Sequence, residues 1–396
     1  MRIAIIGQGY VGLTIAVGAA DAGQKVVGFD TNKGLVSALN VGSSHIEGIT
    51  DAQIARLISS DKYLATSNPS EINGADVIVI AVPTPLDSLR NPDLSYVYAA
   101  VELINQHVKN SALIVNESTS YPGTLRKEIA ARITGVGHLF ASSPERVDPG
   151  NTQWGTKNTP RLIGGLTPEA VSKARDFYAS FCDSIIEVSS PEVAEAAKIF
   201  ENTFRQVNIA LVNEFAQISD ALGISSREVI EAAATKPYGF MPFTPGPGVG
   251  GHCIPVDPSY LAHIADQVGV PATFIKRANE VNLGMPTYVV KRVVAGSGGS
   301  IADKSVIVVG VSYKSNIADV RETPAASVID LLREQGAAVV WHDDLVSSWR
   351  GETSVPLTAY DIAVVVTKHD QVSIDLIKTS GYVFDCTGTV PGADGI

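Results

Sequence analysis

Residues 2–12 read RIAIIGQGYVG, and the fold follows from them. Arg2–Ile6 is a short apolar strand. Gly7, Gly9 and Gly12 then fall in the spacing G-x-G-x-x-G, and Tyr10–Ala22 continues as a helix with its stop at Gly23. Gly7 permits the tight turn from strand to helix. Gly9 lets backbone approach a pyrophosphate, and Gly12 lets the helix pack closely on the strand. The N-terminus of this helix would supply backbone amides and partial positive charge to phosphates. Lys25–Phe29 is a second strand and ends at Asp30. A carboxylate there accepts from both ribose hydroxyls and repels a 2′-phosphate, so the pattern predicts NAD rather than NADP. Lys33 is either a contact to the adenosine ribose or phosphate, or a solvated lysine.

Outward from this turn, strand signals recur at Asp76–Val82, Ala112–Asn116 and His138–Ala141. Strands alternating with helices imply parallel pairing, with helices on both faces of the sheet. Two strand ends carry polar residues where an open parallel sheet places its ligands: Thr84 in Val82–Pro85, and Glu117 and Thr119 in Glu117–Pro122. Each is either a ligand-lining position or turn chemistry.

The middle of the chain changes character. Between Pro191 and Ala234, Gly and Pro are rare, and Val193, Ala197, Phe200, Phe204, Val207, Leu211 and Phe215 recur at helical spacing. The pattern predicts one long helix with an apolar stripe, suited either to a dimer interface or to packing between domains. A Gly/Pro cluster at Thr244–Gly251 follows, then a second helix near Ala272–Val294 and a Gly/Ser boundary at Gly296–Ser300. Beyond it, Ser305–Gly310, Pro324–Gln335, Ala338–His342, Ile362–Thr367 and Tyr382–Asp385 form a smaller second α/β region.

The chain has 396 residues, enough for two or three domains, since single cores stop growing near about 250–300 residues. Its formal net charge is −11, which disfavours nucleic acid and anionic membrane surfaces as partners. No basic leader or cleavage-site pattern opens the sequence, so a cytoplasmic protein is expected. Cys182, Cys253 and Cys386 are three and widely spaced, which is neither a disulfide framework nor a metal pattern.

Cys253 lies in Gly250–Asp257, GGHCIPVD. Small residues before it allow backbone and ligand to approach, and a deprotonated thiol is a strong nucleophile towards an aldehyde. Asp257, four residues on, lies near it if a helix begins there. The alternative is a buried structural cysteine. Lys198 and Asn202 share a helix face, where they either stabilise an oxyanion or form a solvated surface. Glu145 is a further candidate.

Several segments in order resemble the nucleotide-sugar dehydrogenases, a family that includes UDP-glucose, UDP-N-acetylglucosamine and UDP-N-acetylmannosamine 6-dehydrogenases. They are GQGYVGL, PTPL, ESTSYPGT, SPERVDPGN, AKIFENTFRQVNIALVNE, PGPGVGGHCIPVDP and GVSYKSNIADVRETPA. The resemblance implies two Rossmann-like doubly wound domains joined by a central helical region. Residues 1–190 would bind NAD, residues 191–297 would carry the catalytic loop and a homodimer or higher homo-oligomer contact, and residues 298–396 would hold UDP.

It also implies roles. Cys253 falls on the family's thiolate, and Lys198, Asn202 and Asp257 on residues that manage oxyanion and water. Glu145 and Thr119 fall near the reacting centre. Gly7, Gly9, Tyr10, Val11, Gly12, Asp30, Lys33, Thr84, Glu117, Thr119 and Arg321 line the cofactor. Glu145, Arg146, Val147, Lys198, Asn202, Gly250, His252 and Lys314 meet the substrate. The implied reaction is a four-electron oxidation of a UDP-sugar CH2OH through a cysteine thioester. The GGHC and SPERVDPGN segments look like the N-acetylglucosamine branch, with UDP-N-acetylmannosamine and then UDP-glucose as alternatives. A two-electron dehydrogenase and a non-catalytic nucleotide-binding regulator are the competing readings. Cys386 reads as a small core residue.

Overall fold

A computed structural model describes every residue except Glu47, Val136, Asp148, Pro149, Gly150, Thr152 and His252. The chain divides into two compact units, Met1–Glu201 with Ser259–Gly269, and Asn202–Pro258 with Val270–Ile396.

The first unit is built on eight strands: β1 (Arg2–Ile6), β2 (Lys25–Phe29), β3 (Tyr63–Thr66), β4 (Val77–Ile80), β5 (Leu113–Asn116), β6 (Leu139–Ser142), β7 (Arg161–Gly165) and β8 (Ile185–Glu187). Their spatial order is β3-β2-β1-β4-β5-β6-β7-β8. The order reverses between β1 and β4, and such a reversal opens a crevice at the carboxyl ends of the strands. Helices α1 (Tyr10–Asp21), α2 (Lys33–Asn40), α3 (Asp51–Ser59), α4 (Ser95–His107) and α5 (Pro168–Tyr178) serve this unit. Ile3 and Ile5 meet Leu13, Ile15, Leu57, Phe177 and Tyr178 in one continuous core. The residues of β4, VIVI, are buried throughout, as a parallel strand covered on both faces requires.

The expectation of parallel pairing holds from β3 to β6, across every strand it named in this unit, and β7 and β8, which it did not name, pair parallel with each other. β7 runs antiparallel to β6. A parallel neighbour needs a crossover, usually a helix, and among the described residues from 143 to 160 there is none.

The long helix α6 (Pro191–Leu222) is shorter than its pattern suggests. Gly223 takes a positive φ of 69°, and Ser225 accepts a hydrogen bond from the Glu228 amide to start α7 (Ser226–Ala234). Its polarity is also arranged differently. Val193, Phe200, Phe204 and Leu211 are exposed, and the buried face carries Glu195, Lys198, Asn202, Gln206 and Asn213.

The second unit contains most of α6, α7, the start of α8 (Asp257–Gln267), α9 (Thr273–Gly296), α10 (Pro324–Glu334) and α11 (Ile374–Ile377). Its strands are β9 (Ser305–Val309), β10 (Ala338–His342), β11 (Ser348–Trp349), β12 (Glu352–Thr353), β13 (Ile362–Val365), β14 (Tyr382–Asp385) and β15 (Asp394–Gly395). The parallel sheet has the order β10-β9-β13-β14-β15, and β11 and β12 form a small antiparallel pair. Val306, Val308, Val328, Leu332, Trp341 and Phe384 pack one face, and Ile307, Val309, Ala363 and Ile377 the other.

The two units repeat one local device. The Gly7 amide donates to the Phe29 carbonyl at 2.8 Å, and the Gly310 amide donates to the His342 carbonyl at 2.8 Å. The next residue in each case, Gln8 or Val311, donates its amide to an aspartate at the end of the second strand, Asp30 or Asp343, at 2.8 Å.

Candidate active site

The glycine turn of the first unit is built as its spacing requires. A Cβ on Gly7 would lie 2.3 Å from the Ala81 carbonyl oxygen, and one on Gly12 would lie 1.9 Å from the Gly7 carbonyl oxygen. At Gly9 a Cβ would meet nothing within 4 Å, so space is open above the start of α1. Gly9 at that helix end supplies no side-chain cap, and a helix N-terminus of this kind presents amides to an anion. Asp30 accepts from the Gln8 and Asn32 amides, both at 2.8 Å, which orients its carboxylate at the strand end. Lys33 is exposed at the first position of α2. The arrangement fits a dinucleotide: phosphates at Gly9–Gly12 and a ribose at Asp30.

Gln8 was not legible as a functional residue. Its buried amide nitrogen donates to the Ile5 and Gly7 carbonyls at 3.2 and 2.9 Å, and its oxygen accepts from the Tyr63 hydroxyl at 2.6 Å. A Cβ on Gly28 would lie 2.3 Å from that oxygen, so the glycine in β2 makes room for the glutamine that braces the turn.

Thr84 is buried beyond β4, and Thr119 is half-buried beyond β5. Ser118 joins the two loops by accepting from the Val82 amide at 2.9 Å. Glu117 turns inward. It accepts from Arg161 at 2.7 Å and from the Tyr178 hydroxyl. Arg161 also donates to Glu145 at 2.8 Å, so one buried guanidinium at the start of β7 bridges two carboxylates. The other oxygen of Glu145 accepts from the Arg146 and Val147 amides at 2.7 and 2.9 Å. Burial pushes Glu117 up, to about 7, against the pull of Arg161. Burial opposes the charge on Glu145 too, but Arg161 and the two amides prevail and hold its pKa lowered. The Arg146 side chain is spent on Glu201 at 2.7 Å and on the Pro160 carbonyl at 2.7 Å.

Lys198 is buried on α6, one turn before Asn202. Three residues earlier, Glu195 accepts from the Gly123 and Leu125 amides at 2.7 and 2.8 Å. It thereby fastens the loop that begins at Thr119 to the helix that carries Lys198. Burial holds its carboxyl up, at about 7, despite those two donors.

In the second unit, Cys253 is exposed, and Cys182 and Cys386 are buried. Burial pushes the Cys182 thiol up to about 11 and raises Cys386 as well. The Cys253 carbonyl accepts from the Asp257 amide at 2.8 Å, so the thiol stands on the turn that opens α8. Asp257 is buried, and its Oδ2 accepts from Asn202 Nδ2 at 2.6 Å. Cys253, Asp257 and Asn202 are thus brought together. The Gly/Pro segment leading to the thiol is pinned from α6, where Asn213 accepts from the Gly246 amide at 2.9 Å and donates to Asn282 of α9 at 2.9 Å. Gly250 and Lys314 are half-buried in this unit, and Arg321 is exposed and paired with Asp319 at 2.5 Å. His252 lies outside the described residues. No described helix is long and apolar enough to cross a membrane.

A dinucleotide cradle on a doubly wound sheet, with an exposed thiol on a second parallel-sheet unit, defines a class: the pyridine-nucleotide oxidoreductases. Three family models match in succession. They are the NAD binding domain (residues 1–182), the central domain (192–283) and the UDP binding domain (307–390) of the UDP-glucose/GDP-mannose dehydrogenase family. The chain belongs to that family and is an NAD-dependent nucleotide-sugar dehydrogenase. A UDP-N-acetyl-D-mannosamine dehydrogenase from Methanococcus maripaludis is 36% identical over 93% of this chain and 86% of its own. A UDP-N-acetyl-D-glucosamine 6-dehydrogenase from Pseudomonas aeruginosa is 33% identical over 94% of this chain and 90% of its own. The solved structure of a UDP-D-ManNAc dehydrogenase from Pyrococcus horikoshii superposes with a TM-score of 0.90 at 32% identity, covering 100% of this chain and 99% of that one.

Proposed function

We propose that the chain oxidises the C6 hydroxymethyl of a UDP-N-acetylhexosamine to the carboxylate in two steps, with Cys253 as the covalent residue. The observation that carries this reading is the exposed Cys253 thiol on a turn whose carbonyl holds Asp257, itself bound to Asn202. Gly9–Gly12 and Asp30 would hold NAD, with Thr84, Thr119, Lys33 and Arg321 as further candidate contacts. NAD accepts the hydride in each of the two oxidations.

The alcohol loses a hydride and a proton to give the aldehyde. The Cys253 thiolate adds to the aldehyde carbon, and the resulting oxyanion takes up a proton to give a thiohemiacetal. Lys198 and Asn202 stabilise that oxyanion, a cation and an amide donor where negative charge develops. Loss of a second hydride and a proton gives the thioester. Water then attacks, the sulfur leaves as thiolate, and the carboxylate departs with two protons shed to solvent. We assign the water to Asp257, whose carboxylate Asn202 orients at 2.6 Å. Glu145, Arg146 and Val147 serve instead to shape the substrate contact.

The GGHC segment and the relatives above support the acetamido sugar. UDP-N-acetylglucosamine is our first choice on the SPERVDPGN segment. UDP-N-acetylmannosamine is the second reading, favoured by the names of the Methanococcus and Pyrococcus proteins. The deciding assay counts NADH released per molecule of UDP-GlcNAc, UDP-ManNAc and UDP-glucose. Two NADH per acetamido sugar supports the proposal; one NADH, or preference for UDP-glucose, overturns it.

The exposed stripe of Val193, Phe200, Phe204 and Leu211 on α6 supports a second copy of this chain as a partner, and a cytoplasmic location suits a nucleotide-sugar substrate.

A further inference from the structure

The path of the chain into Cys253 is set from far away in sequence. A Cβ on Gly250 would lie 2.6 Å from Tyr313 Cβ and 3.0 Å from the Glu322 carbonyl oxygen. At Gly251, where φ is +83°, a Cβ would lie 2.8 Å from Tyr313 Cε2 and 3.0 Å from Cζ. Neither position has room for a side chain: Gly250 is closed by Tyr313 Cβ and the Glu322 carbonyl, and Gly251 by the Tyr313 ring. The Gly251 amide donates to the Arg321 carbonyl at 2.9 Å, and the Tyr313 amide donates to the Asp319 carbonyl at 2.9 Å. Tyr313 and Arg321 therefore belong to one loop, and the thiol segment lies along it.

That loop is itself held firmly on both sides of the ring. Before Tyr313, the Asp343 carboxylate accepts from the Val311 amide at 2.8 Å and from the Ser312 amide and hydroxyl at 3.1 Å. Thr367 Oγ1 donates to the Ser312 carbonyl at 2.7 Å. After it, His369 Nδ1 accepts from the Asn316 amide at 2.8 Å, which leaves Nε2 as the donor to Asp343 at 3.1 Å. Asn316 and Asp370 bond each other through side chain and backbone, at 2.9 and 3.0 Å. In the first unit the equivalent aspartate, Asp30, is half-buried and accepts from the Gln8 and Asn32 amides. Here the aspartate is buried and spent on the loop.

We propose that Tyr313 is a positioning residue for the Cys253 thiol: its clamped ring sets the course of Gly250 and Gly251 into the thiol turn and so governs capture of the aldehyde. The inference rests on the reading of Cys253 as the reacting thiol. A displaced thiol would leave the first oxidation intact and impair the second, since misplacement of about 1 Å can cost on the order of a hundredfold in a covalent step.

The test is single turnover of the full-length protein with NAD and the UDP-sugar chosen by the assay above, with hydroxylamine present to trap free aldehyde. In Tyr313→Ala the first NADH should form within about twofold of the unchanged protein, and the second should slow on the order of a hundredfold, with aldehyde trapped. Tyr313→Phe, which keeps the ring, should restore two NADH per sugar. Gly251→Ala presses a methyl against the ring from the other side and should give the same split. Tyr313→Leu replaces Tyr313→Ala if circular dichroism shows that the latter does not fold. The inference is overturned if the second oxidation keeps pace with the first in both folded variants. It is equally overturned if inhibition by UDP weakens in step with both oxidations, which would make the ring a nucleotide contact. Cys253→Ser separates the two claims. Two NADH per sugar from that variant removes the thiol mechanism itself, whereas a defective Cys253→Ser beside an unaffected Tyr313→Ala removes only the role of Tyr313.

Discussion

Asn202 Nδ2 donates to Asp257 Oδ2 across 2.6 Å although 55 positions separate the two residues. This bond ties α6 to the first residue of α8, and so to the turn that carries Cys253. It orients the Asp257 carboxylate, as a general base requires. Asp257→Asn should therefore retain the two oxidations and slow thioester hydrolysis by about 10²–10⁴-fold. Intact-protein mass spectrometry should then find the uronyl adduct on Cys253 after one turnover. Free carboxylate formed at the unchanged rate would count against the assignment.

Arg161 supports two buried carboxylates at once, so its removal leaves negative charge unpaired in the interior. Arg161→Gln should cost about 3–5 kcal/mol of stability, in the range for breaking a buried ion pair from one side. Urea denaturation of the two proteins reads this directly. A loss within experimental scatter would mean that water reaches Glu117 and Glu145.

Glu195 has a predictable pH signature. Its folded value, about 7, lies above the ordinary 4.5. The folded state thus binds the extra proton, and the associated stability is complete below 4.5 and is lost as pH rises through about 7. Glu117 contributes in the same direction. The melting temperature should fall over that window, and Glu195→Gln should flatten part of the fall. An unchanged slope would show that solvent already reaches the carboxylate.

On the proposed reading, the Asp30 carboxylate would repel a 2′-phosphate by its charge. Asp30→Asn should weaken NAD use by roughly tenfold and narrow the preference over NADP, since a lost charged hydrogen bond costs about 1.5–3 kcal/mol. KM values for the two dinucleotides settle the point.

The exposed face of α6 supports the proposed contact with a second copy of this chain. Phe200 and Leu211 are 64% and 61% exposed. A Phe200→Glu/Leu211→Glu variant should elute as a smaller species in size exclusion with light scattering, because charge on an apolar contact is costly to bury. An unchanged mass would place any association elsewhere.

Much of the candidate site could be read from local spacing. The glycines at 7, 9 and 12, the acid at Asp30 and the four-residue steps Lys198 to Asn202 and Cys253 to Asp257 are periodic features of single elements. What escaped the reading was long-range. Gln8 bonds Tyr63, Glu195 caps residues near 123, Arg161 bridges Glu117 and Glu145, and Tyr313 underlies Gly250 and Gly251. None of these pairs lies at helical or strand spacing. The break at Gly223 was masked by helix-favouring neighbours, and the reversal at β7 depends on a connection without a described crossover helix.

The sequence by itself determined the parallel strand–helix alternation, the dinucleotide turn and the identity of the nucleophile candidate, because each is written in backbone sterics and side-chain chemistry over a few residues. Only the tertiary structure decided which cysteine faces solvent, which carboxylates are neutralised by a buried guanidinium, and which ring supports the thiol loop. Those outcomes depend on burial and on contacts between distant segments, and the strength of a charge or the path of a glycine is set by what surrounds it after folding.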